Sequence, residues 1–191
     1  MTLTTRDRIV NAAQELLQTR SFTGFSFDEL ARRVGIRKPS LYHHFKSKNE
    51  LGAEVLARAT ERLEAIAQAG GELSGAEQLR SYLEAVGDAL GAGKRLCPAG
   101  SVTANWAVVP TELRDSVRRM GRVHFAWLAR VLAQGRKDGS LKTDGRDLEA
   151  MARWIFASVQ GGLMLARISG ERKSYDQVTA ELMAALATAA R

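Results

Sequence analysis

The chain has 191 residues and a formal net charge of +7, and 45% of its residues are hydrophobic. This length and hydrophobic content are enough for a sizeable core, in one medium domain or in a small domain joined to a larger one. A single cysteine excludes an intramolecular disulfide framework, no apolar run is long enough to span a bilayer, and the first residues lack the apolar segment of a secretion signal. We therefore expect a basic protein of the cytoplasm.

The positive charge is concentrated in the N-terminal quarter. Residues 1–50 contain nine Lys or Arg and five Asp or Glu, so they carry +4 of the total +7. Such an excess can neutralise phosphates and release their counterions, which favours a nucleic acid as partner. A solvated basic surface is the alternative, and the helices predicted in the same region decide between the two.

Two helices are predicted before residue 36. Residues 6–20 have apolar side chains at helical spacing, and Phe22 and Phe25 follow as fillers at the junction. Ser26 and Glu29 form a capping box at the start of the second helix, and Gly35 ends it. The apolar positions of these two helices are Ile9, Ala13, Leu16, Leu17, Phe27, Leu30, Ala31 and Val34.

A third helix is predicted within residues 37–48, Arg-Lys-Pro-Ser-Leu-Tyr-His-His-Phe-Lys-Ser-Lys. Pro39 suits its first turn, because proline fixes a helical φ and lacks only an amide that would be unpaired there. Leu41 and Phe45 lie four residues apart and mark the buried side. Only residues 35–38 separate this helix from the second, a spacing typical of a helix-turn-helix whose second helix enters the major groove of DNA.

These residues resemble the DNA-binding part of the TetR family of bacterial transcriptional regulators. The resemblance covers residues 27–51, and the run Leu-Tyr-His-His-Phe-Lys-Ser-Lys at 41–48 carries most of it. Arg37 and Pro39 stand where members often have Ser and Gly, and Phe27 stands where Thr or Ser is common, so no base preference is carried over. The resemblance implies a dimeric regulator, usually a repressor, that leaves DNA when it binds a small molecule.

Nine residues are predicted at the DNA interface. The resemblance implies that Tyr42 and Lys48 grip the phosphate backbone. Arg or Lys can reach guanine O6 and N7, whereas Ser and His discriminate less, and the candidates for base edges are Arg37, Lys38, Ser40 and His43. For His44 we keep the alternative of a half-buried ring packed against the first helix. The predicted interface comprises Ser26, Arg37, Lys38, Ser40, Leu41, Tyr42, His43, Lys46 and Lys48.

Beyond residue 48 the sequence predicts only helices. A connecting helix runs to about residue 69, and further helices follow near 75–91, 111–137, 146–168 and 175–189, with 94–111 irregular or short-helical. We expect an all-α protein with a helix-turn-helix DNA-binding domain at 1–48. Residues 49–191 would form a helical domain for ligand binding and dimerisation.

The segment 154–166 is apolar nearly all round, which predicts one face in the subunit core and another against a partner. Ala157, Ser158, Gly161 and Gly162 would let a second helix approach closely. The last helix carries an apolar stripe, Val178, Leu182, Ala185, Leu186 and Ala189. Together the helices near 146–168 and 175–189 would build the two-fold four-helix interface of a homodimer that reads a palindromic operator. A helix central to a monomer is the alternative.

Two places for an incoming signal are predicted. Aromatic, methionine and histidine side chains are frequent on the central helices, and they would line an apolar pocket. For most of them, packing in the core is the alternative. The second place is Cys97, whose neighbours Lys94 and Arg95 favour a thiolate. The predicted pocket comprises Tyr82, Cys97, Trp106, Met120, His124, Trp127, Met151 and Trp154.

The segment around Cys97 also resembles a Cys-containing stretch found in TetR-type regulators of electrophile and quinone responses. It predicts a thiol sensor, with a small buried hydrophobe as the alternative. Enzyme signatures are weak: the glycines of 87–94 have the wrong spacing for a phosphate loop, and no metal-ligand spacing or nucleophile motif occurs. We expect no enzyme activity, metal or cofactor. A nucleoid-type binder without ligand control, or an interaction protein that keeps the helix-turn-helix, would also fit these residues.

Overall fold

The computed structural model describes residues 3–188, which fold into helices without a β-strand. This confirms the all-α expectation. No helix in the described range is both long and apolar enough to cross a membrane. The α-helices in chain order are α1 (Thr5–Arg20), α2 (Phe27–Val34), α3 (Lys38–His44), α4 (Lys48–Ala69), α5 (Gly75–Leu90), α6 (Pro98–Thr103), α7 (Thr111–Asp138), α8 (Leu148–Ser169) and α9 (Lys173–Ala185).

The helix ends follow local chemistry that the sequence shows. The Thr4 hydroxyl accepts from the Asp7 amide at 3.1 Å and starts α1. Asp147 accepts from the Glu149 amide at 2.9 Å, which starts α8 two residues later than predicted. The last helix ends at Ala185 rather than near 189, and Ala189 lies outside the described residues.

The capping box predicted for α2 is half present. The Ser26 hydroxyl accepts from the Glu29 amide at 3.2 Å. The Glu29 carboxylate instead pairs with the Arg20 guanidinium, a charged partner that outcompetes a neutral backbone amide. At the other end Gly35 adopts φ +74°, and the Ile36 amide donates to the Ala31 carbonyl at 3.0 Å, so the chain turns sharply into α3.

The chain divides into two compact units. Unit 1 contains the described residues up to Glu61 together with Cys97–Met120, and unit 2 contains Arg62–Leu96 together with the described residues from Gly121 onward. The short helix α6 therefore belongs with the N-terminal helices, although it is distant from them along the chain. The functional division predicted at residue 48 stays a prediction.

Unit 1 is built around α1, which contacts both α2 and α6. Its core holds Leu41 of α3 and Phe45 just beyond it, neither of which has any exposed surface. Burial of one such side chain contributes about 1.5–3 kcal/mol, and α3, with only seven residues, is too short to be stable alone. The same core includes Ile9, Val10, Ala13, Leu16, Leu17, Leu30, Val34, Leu51, Val55, Ala99 and Val102.

An ion-pair network joins α1 to α4 within unit 1. Arg6 contacts Glu54 at 2.5 Å, and Arg58 contacts both Asp7 at 2.9 Å and Glu54 at 3.1 Å. The hydrogen bond from Arg6 is the main reason that the pKa of Glu54 lies below its ordinary value. For Asp7 the hydrogen bond from Thr4, followed by that from Arg58, lowers the pKa. The start of α1 is thereby fixed to α4.

Unit 2 contains the tight pairing of α8 with α9. A Cβ at Gly162 would meet the Tyr175 ring at 3.1 Å, so glycine permits the close approach. The buried Tyr175 hydroxyl donates to the Leu83 carbonyl at 2.8 Å, and burial raises the pKa of this phenol. Leu182 and Leu186 are also buried. Val178 lies against Gly162 of α8, so part of the α9 stripe packs inside the subunit, whereas Ala185 is exposed. A place for this helix in a dimer interface stays a prediction.

Candidate nucleic-acid interface

The outer side of α3 is the candidate DNA-reading surface. Arg37, the N-cap residue, and Lys38, Ser40 and His43 of the helix are exposed, and Tyr42 keeps 47% of its surface. Leu41 was predicted at the interface, but it is completely buried, so its side chain cannot reach DNA in this conformation. Its place in the core follows from its spacing to Phe45.

Tyr42 is oriented by a contact between α2 and α3. Its ring lies edge-on to Phe27, with the ring centroids 5.2 Å apart. Because Phe27 is buried, the phenol ring is held at the surface instead of turning freely. His44 is half-buried and stacks edge-on with His43 at 5.7 Å, which agrees with the half-buried alternative but not specifically with packing on α1.

Several cations near α3 are paired with carboxylates of the same unit. Lys38 donates to Asp28 at 2.8 Å, and Arg33 contacts Glu15 at 2.7 Å. This hydrogen bond to the Asp28 carboxylate raises the pKa of Lys38. Sequence reasoning missed Asp28, because residues ten apart on different helices have no periodic relation that would reveal their contact.

Other cations of this surface have no such partner. Within residues 3–188, Arg32, Arg37 and Lys46 are exposed and form no ion pair with a carboxylate. Their charges therefore face solvent without compensation. An uncompensated guanidinium beside the N-terminus of a reading helix is suited to a phosphate or to the edge of a guanine.

The side chains of Lys48 and Ser26 both make contacts within unit 1. The Lys48 ammonium donates to the Phe25 carbonyl and lies 4.8 Å from the Phe22 ring centroid and 4.2 Å from that of Phe25. Burial lowers its pKa. A phosphate contact of Lys48 stays a prediction. Ser26 is exposed, but its hydroxyl is engaged as the cap of α2.

The residues predicted to line a ligand pocket are divided between the units. Cys97, Trp106 and Met120 belong to unit 1, whereas Tyr82, His124, Trp127, Met151 and Trp154 belong to unit 2. In unit 2 the rings of Tyr82 and Trp127 are 5.0 Å apart, and His124 lies 6.2 Å from Tyr82 and 5.5 Å from Phe156. Trp154 is instead exposed on α8. Only part of the predicted set is thus brought together.

Two further observations concern bound groups and cations. Within the described range no group of three or more His, Cys, Asp or Glu is arranged to hold a metal ion.

The half-exposed Trp106 ring has the guanidinium carbons of Arg114 and Arg118 at 5.5 and 5.6 Å from its centroid. Its face is therefore covered by side chains of unit 1.

Family models match most of the chain. Residues 9–55 match the model described as bacterial regulatory proteins of the tetR family, and residues 75–182 match the tetracycline repressor-like C-terminal domain. The first match contains all of α2 and α3, and the second contains α5 to α8 and most of α9.

Curated relatives align over nearly the whole chain. The HTH-type transcriptional repressor NemR of Escherichia coli is 25% identical over 97% of this chain and 96% of its own length. The repressor DhaR of a Mycobacterium species is 24% identical over 95% of this chain and 91% of its own length.

Solved structures have the same fold. A TetR-family regulator from Agrobacterium tumefaciens superimposes with a TM-score of 0.89, at 26% identity over 96% of this chain and 98% of its own. The reduced form of Escherichia coli NemR has a TM-score of 0.81, at 24% identity over 98% of this chain and 99% of its own.

We predict that Asp28→Asn strengthens DNA binding. The change releases Lys38 and removes a carboxylate that would repel phosphates, so affinity should rise severalfold at low salt and the slope of log K against log[salt] should steepen by about one. Fluorescence anisotropy with a labelled duplex at several KCl concentrations measures both. Asp115→Asn, which breaks the exposed pair with Arg118 on α7, is the matched control. An unchanged slope for Asp28→Asn would contradict the masking role.

Proposed function

This chain belongs to the TetR family of bacterial transcriptional regulators, and on that premise we propose that it is a repressor that binds a palindromic operator as a homodimer. We place it in the bacterial cytoplasm, where it reaches the chromosome, and propose that a small molecule releases it from DNA. The observation that carries the proposal is the α3 surface, where exposed polar and cationic residues are supported from below by the buried Leu41 and Phe45.

Arg37 is the proposed principal base-reading residue. It is exposed, has an extended backbone and directly precedes α3, and residues at the start of a recognition helix are those that approach base edges. Ser40 and His43 lie on the same helix and add less discriminating contacts. Tyr42, Lys46 and Lys38 after its release from Asp28 would contact the phosphate backbone.

The dimer interface is proposed to be the outer face of α8. Trp154, Met164, Leu165 and Ile168 are 40%, 58%, 48% and 76% exposed, an unusual density of apolar side chains at a surface. Between them Gly161 is exposed, and a Cβ there would meet nothing within 4 Å. A second copy related by a two-fold axis could pack closely against this face. Two copies present two α3 helices, which supports a palindromic operator.

The small-molecule signal is proposed to enter unit 2 at the cluster of Tyr82, His124, Trp127 and Phe156. These aromatic and imidazole rings lie together and supply the kind of apolar area that suits a planar organic ligand. Such a ligand releases DNA only if it binds the DNA-free conformation more tightly, and a hundredfold preference corresponds to about 2.7 kcal/mol.

Cys97 supports a second candidate signal, a reactive electrophile. It is half-buried at the N-terminal end of α6 and packs against the unit 1 core, and α6 contacts α1. The relative NemR has been solved in a form described as reduced. In the proposed step the Cys97 thiolate adds to the β-carbon of an unsaturated carbonyl compound, and the α-carbon takes up a proton. The enlarged side chain would displace α6 and, through α1, the core beneath α3.

We predict that Arg37→Ala relaxes sequence preference. Wild-type protein should select one palindrome from random DNA, and Arg37→Ala should bind that palindrome about 1–3 kcal/mol more weakly while binding unrelated duplexes almost as well. Lys46→Ala, the matched control, should weaken both classes of duplex alike. Selection of sequences without two-fold symmetry by the wild-type protein would contradict the palindromic operator.

We predict that Ile168→Asp produces a monomer. A carboxylate in the middle of the proposed α8 interface would be desolvated without a partner, which costs several kcal/mol. Sedimentation velocity at micromolar concentration should show a dimer for the wild-type protein and a monomer for this variant. Val108→Asp changes a residue that is 68% exposed outside α8 and should remain dimeric. A dimeric Ile168→Asp variant would exclude this face as the interface.

We predict that p-benzoquinone releases wild-type protein from its operator but leaves Cys97→Ser bound. Serine keeps the size of the side chain but is far less nucleophilic, so the adduct should not form. Anisotropy of a labelled operator measures release, and mass spectrometry counts the adducts. Equal release of both proteins would contradict the thiol signal and leave the aromatic cluster of unit 2 as the candidate.

A further inference from the structure

The contact between Phe27 and Tyr42 joins the first residue of α2 to the outer side of α3. Phe27 is 7% exposed and belongs to the unit 1 core, whereas Tyr42 is 47% exposed. Their ring planes meet at 63° with the centroids 5.2 Å apart, the edge-to-face arrangement that aromatic pairs prefer. The phenol ring therefore packs against a side chain that is itself fixed in the core.

The backbone at Phe27 is also fixed. The Ser26 hydroxyl accepts from the Glu29 amide at 3.2 Å, and the Ser26 carbonyl accepts from the Leu30 amide at 3.0 Å. These two bonds close the first turn of α2, which begins at Phe27. A side chain that packs on this ring is therefore ordered before any DNA binds.

Lys38 and Tyr42 are four residues apart on the same face of α3, and both are proposed to contact phosphates. The two side chains are held in different ways. Lys38 forms an ion pair with Asp28 at 2.8 Å, which a phosphate must displace. Tyr42 packs on the ring carbons of Phe27, so a phosphate can bind its hydroxyl while this contact stays intact.

We propose that Phe27 is a positioning residue for DNA binding, which holds the phenol of Tyr42 where its hydroxyl can donate to a phosphate oxygen. Ordering a surface side chain on binding lowers affinity, and packing on Phe27 removes most of that cost for Tyr42 in advance. Threonine or serine, which is common at this position in the family, offers no ring. The role of Phe27 rests on the phosphate contact proposed for Tyr42, but on no particular inducer and not on Cys97.

The test is a double-mutant cycle on operator affinity. Phe27→Leu keeps an apolar side chain in the core but removes the ring, and Tyr42→Phe keeps the ring but removes the hydroxyl. Both single variants and the double variant are purified at full length. Their affinity for the palindrome that wild-type protein selects from random DNA is measured by fluorescence anisotropy near room temperature. Leu30→Val, which trims a completely buried side chain of the same helix, is the matched control.

For Phe27→Leu we expect about threefold weaker binding, the cost of ordering one side chain. For Tyr42→Phe we expect about tenfold weaker binding, because a hydrogen bond to a charged group is lost. The double variant should also bind about tenfold more weakly, since Phe27 then has no hydroxyl to position. Leu30→Val should lower the melting temperature without changing affinity. Losses that multiply to about thirtyfold in the double variant, or an unchanged affinity for Phe27→Leu, overturn the proposal.

A second measurement follows the Tyr42 ring itself in free protein. The chain has three tyrosines, so isotope labelling of their rings gives few NMR signals, and Tyr42→Phe identifies those of Tyr42. Loss of the Phe27 ring current should move the Tyr42 signals in Phe27→Leu, while Leu30→Val leaves them in place. Unmoved signals in Phe27→Leu overturn the proposal. If Phe27→Leu does not fold, Phe27→Met replaces it, since methionine fills irregular core space and also lacks a ring.

Two outcomes reach beyond Phe27. If wild-type protein selects no palindrome, the proposed function fails and the role of Phe27 fails with it. If Tyr42→Phe binds as tightly as wild type, the phosphate contact of Tyr42 and the role of Phe27 both fail, but the palindromic operator stands. If Tyr42→Phe binds more weakly and its loss multiplies with that of Phe27→Leu, only the role of Phe27 is excluded.

Discussion

The burial of Leu41 and Phe45 is the interaction on which the DNA-reading surface depends. A helix of seven residues does not persist alone, since the cost of nucleating it exceeds what its few hydrogen bonds return. Two fully buried side chains on one side hold α3 in the core that it shares with α1 and α2, and leave its opposite side exposed. Truncating either side chain to alanine would lower the free energy of unfolding by about 2–5 kcal/mol. It would detach α3 from the core without changing any residue that faces DNA.

The composition of unit 1 explains how distant parts of the chain can influence that helix. α6 is separated from α1 by much of the chain, yet Ala99 and Val102 are buried in the same core as Ile9 and Leu41. Close-packed interiors transmit small displacements instead of absorbing them. In the proposed thiol signal, a change at Cys97, which packs against this core, would act on the core that supports α3. The ion pairs of Arg6 with Glu54 and of Arg58 with Asp7 connect α1 to α4 within the same unit.

Much of the fold could be predicted because periodicity and caps are local. The spacing of Leu41 and Phe45, the cap at Ser26 and the glycine at 35 located α2 and α3 correctly. What could not be predicted depends on pairing between elements. Asp28 meets Lys38 across a turn, Lys48 turns toward Phe25, and Val178 of α9 packs on Gly162 of α8. Family resemblance assigned Lys48 a role from its position in a motif, whereas burial and the two neighbouring rings determine where its ammonium lies.

The separation of supporting from reading residues on α3 has an evolutionary consequence. Arg37, Ser40 and His43 contribute little to the core, so replacing them should change which DNA sequence is preferred at almost no cost in stability. A duplicated copy of such a gene could acquire a new operator through one or two substitutions while its fold is maintained. The buried side of the helix would record common descent, and the exposed side would diverge with each regulated promoter.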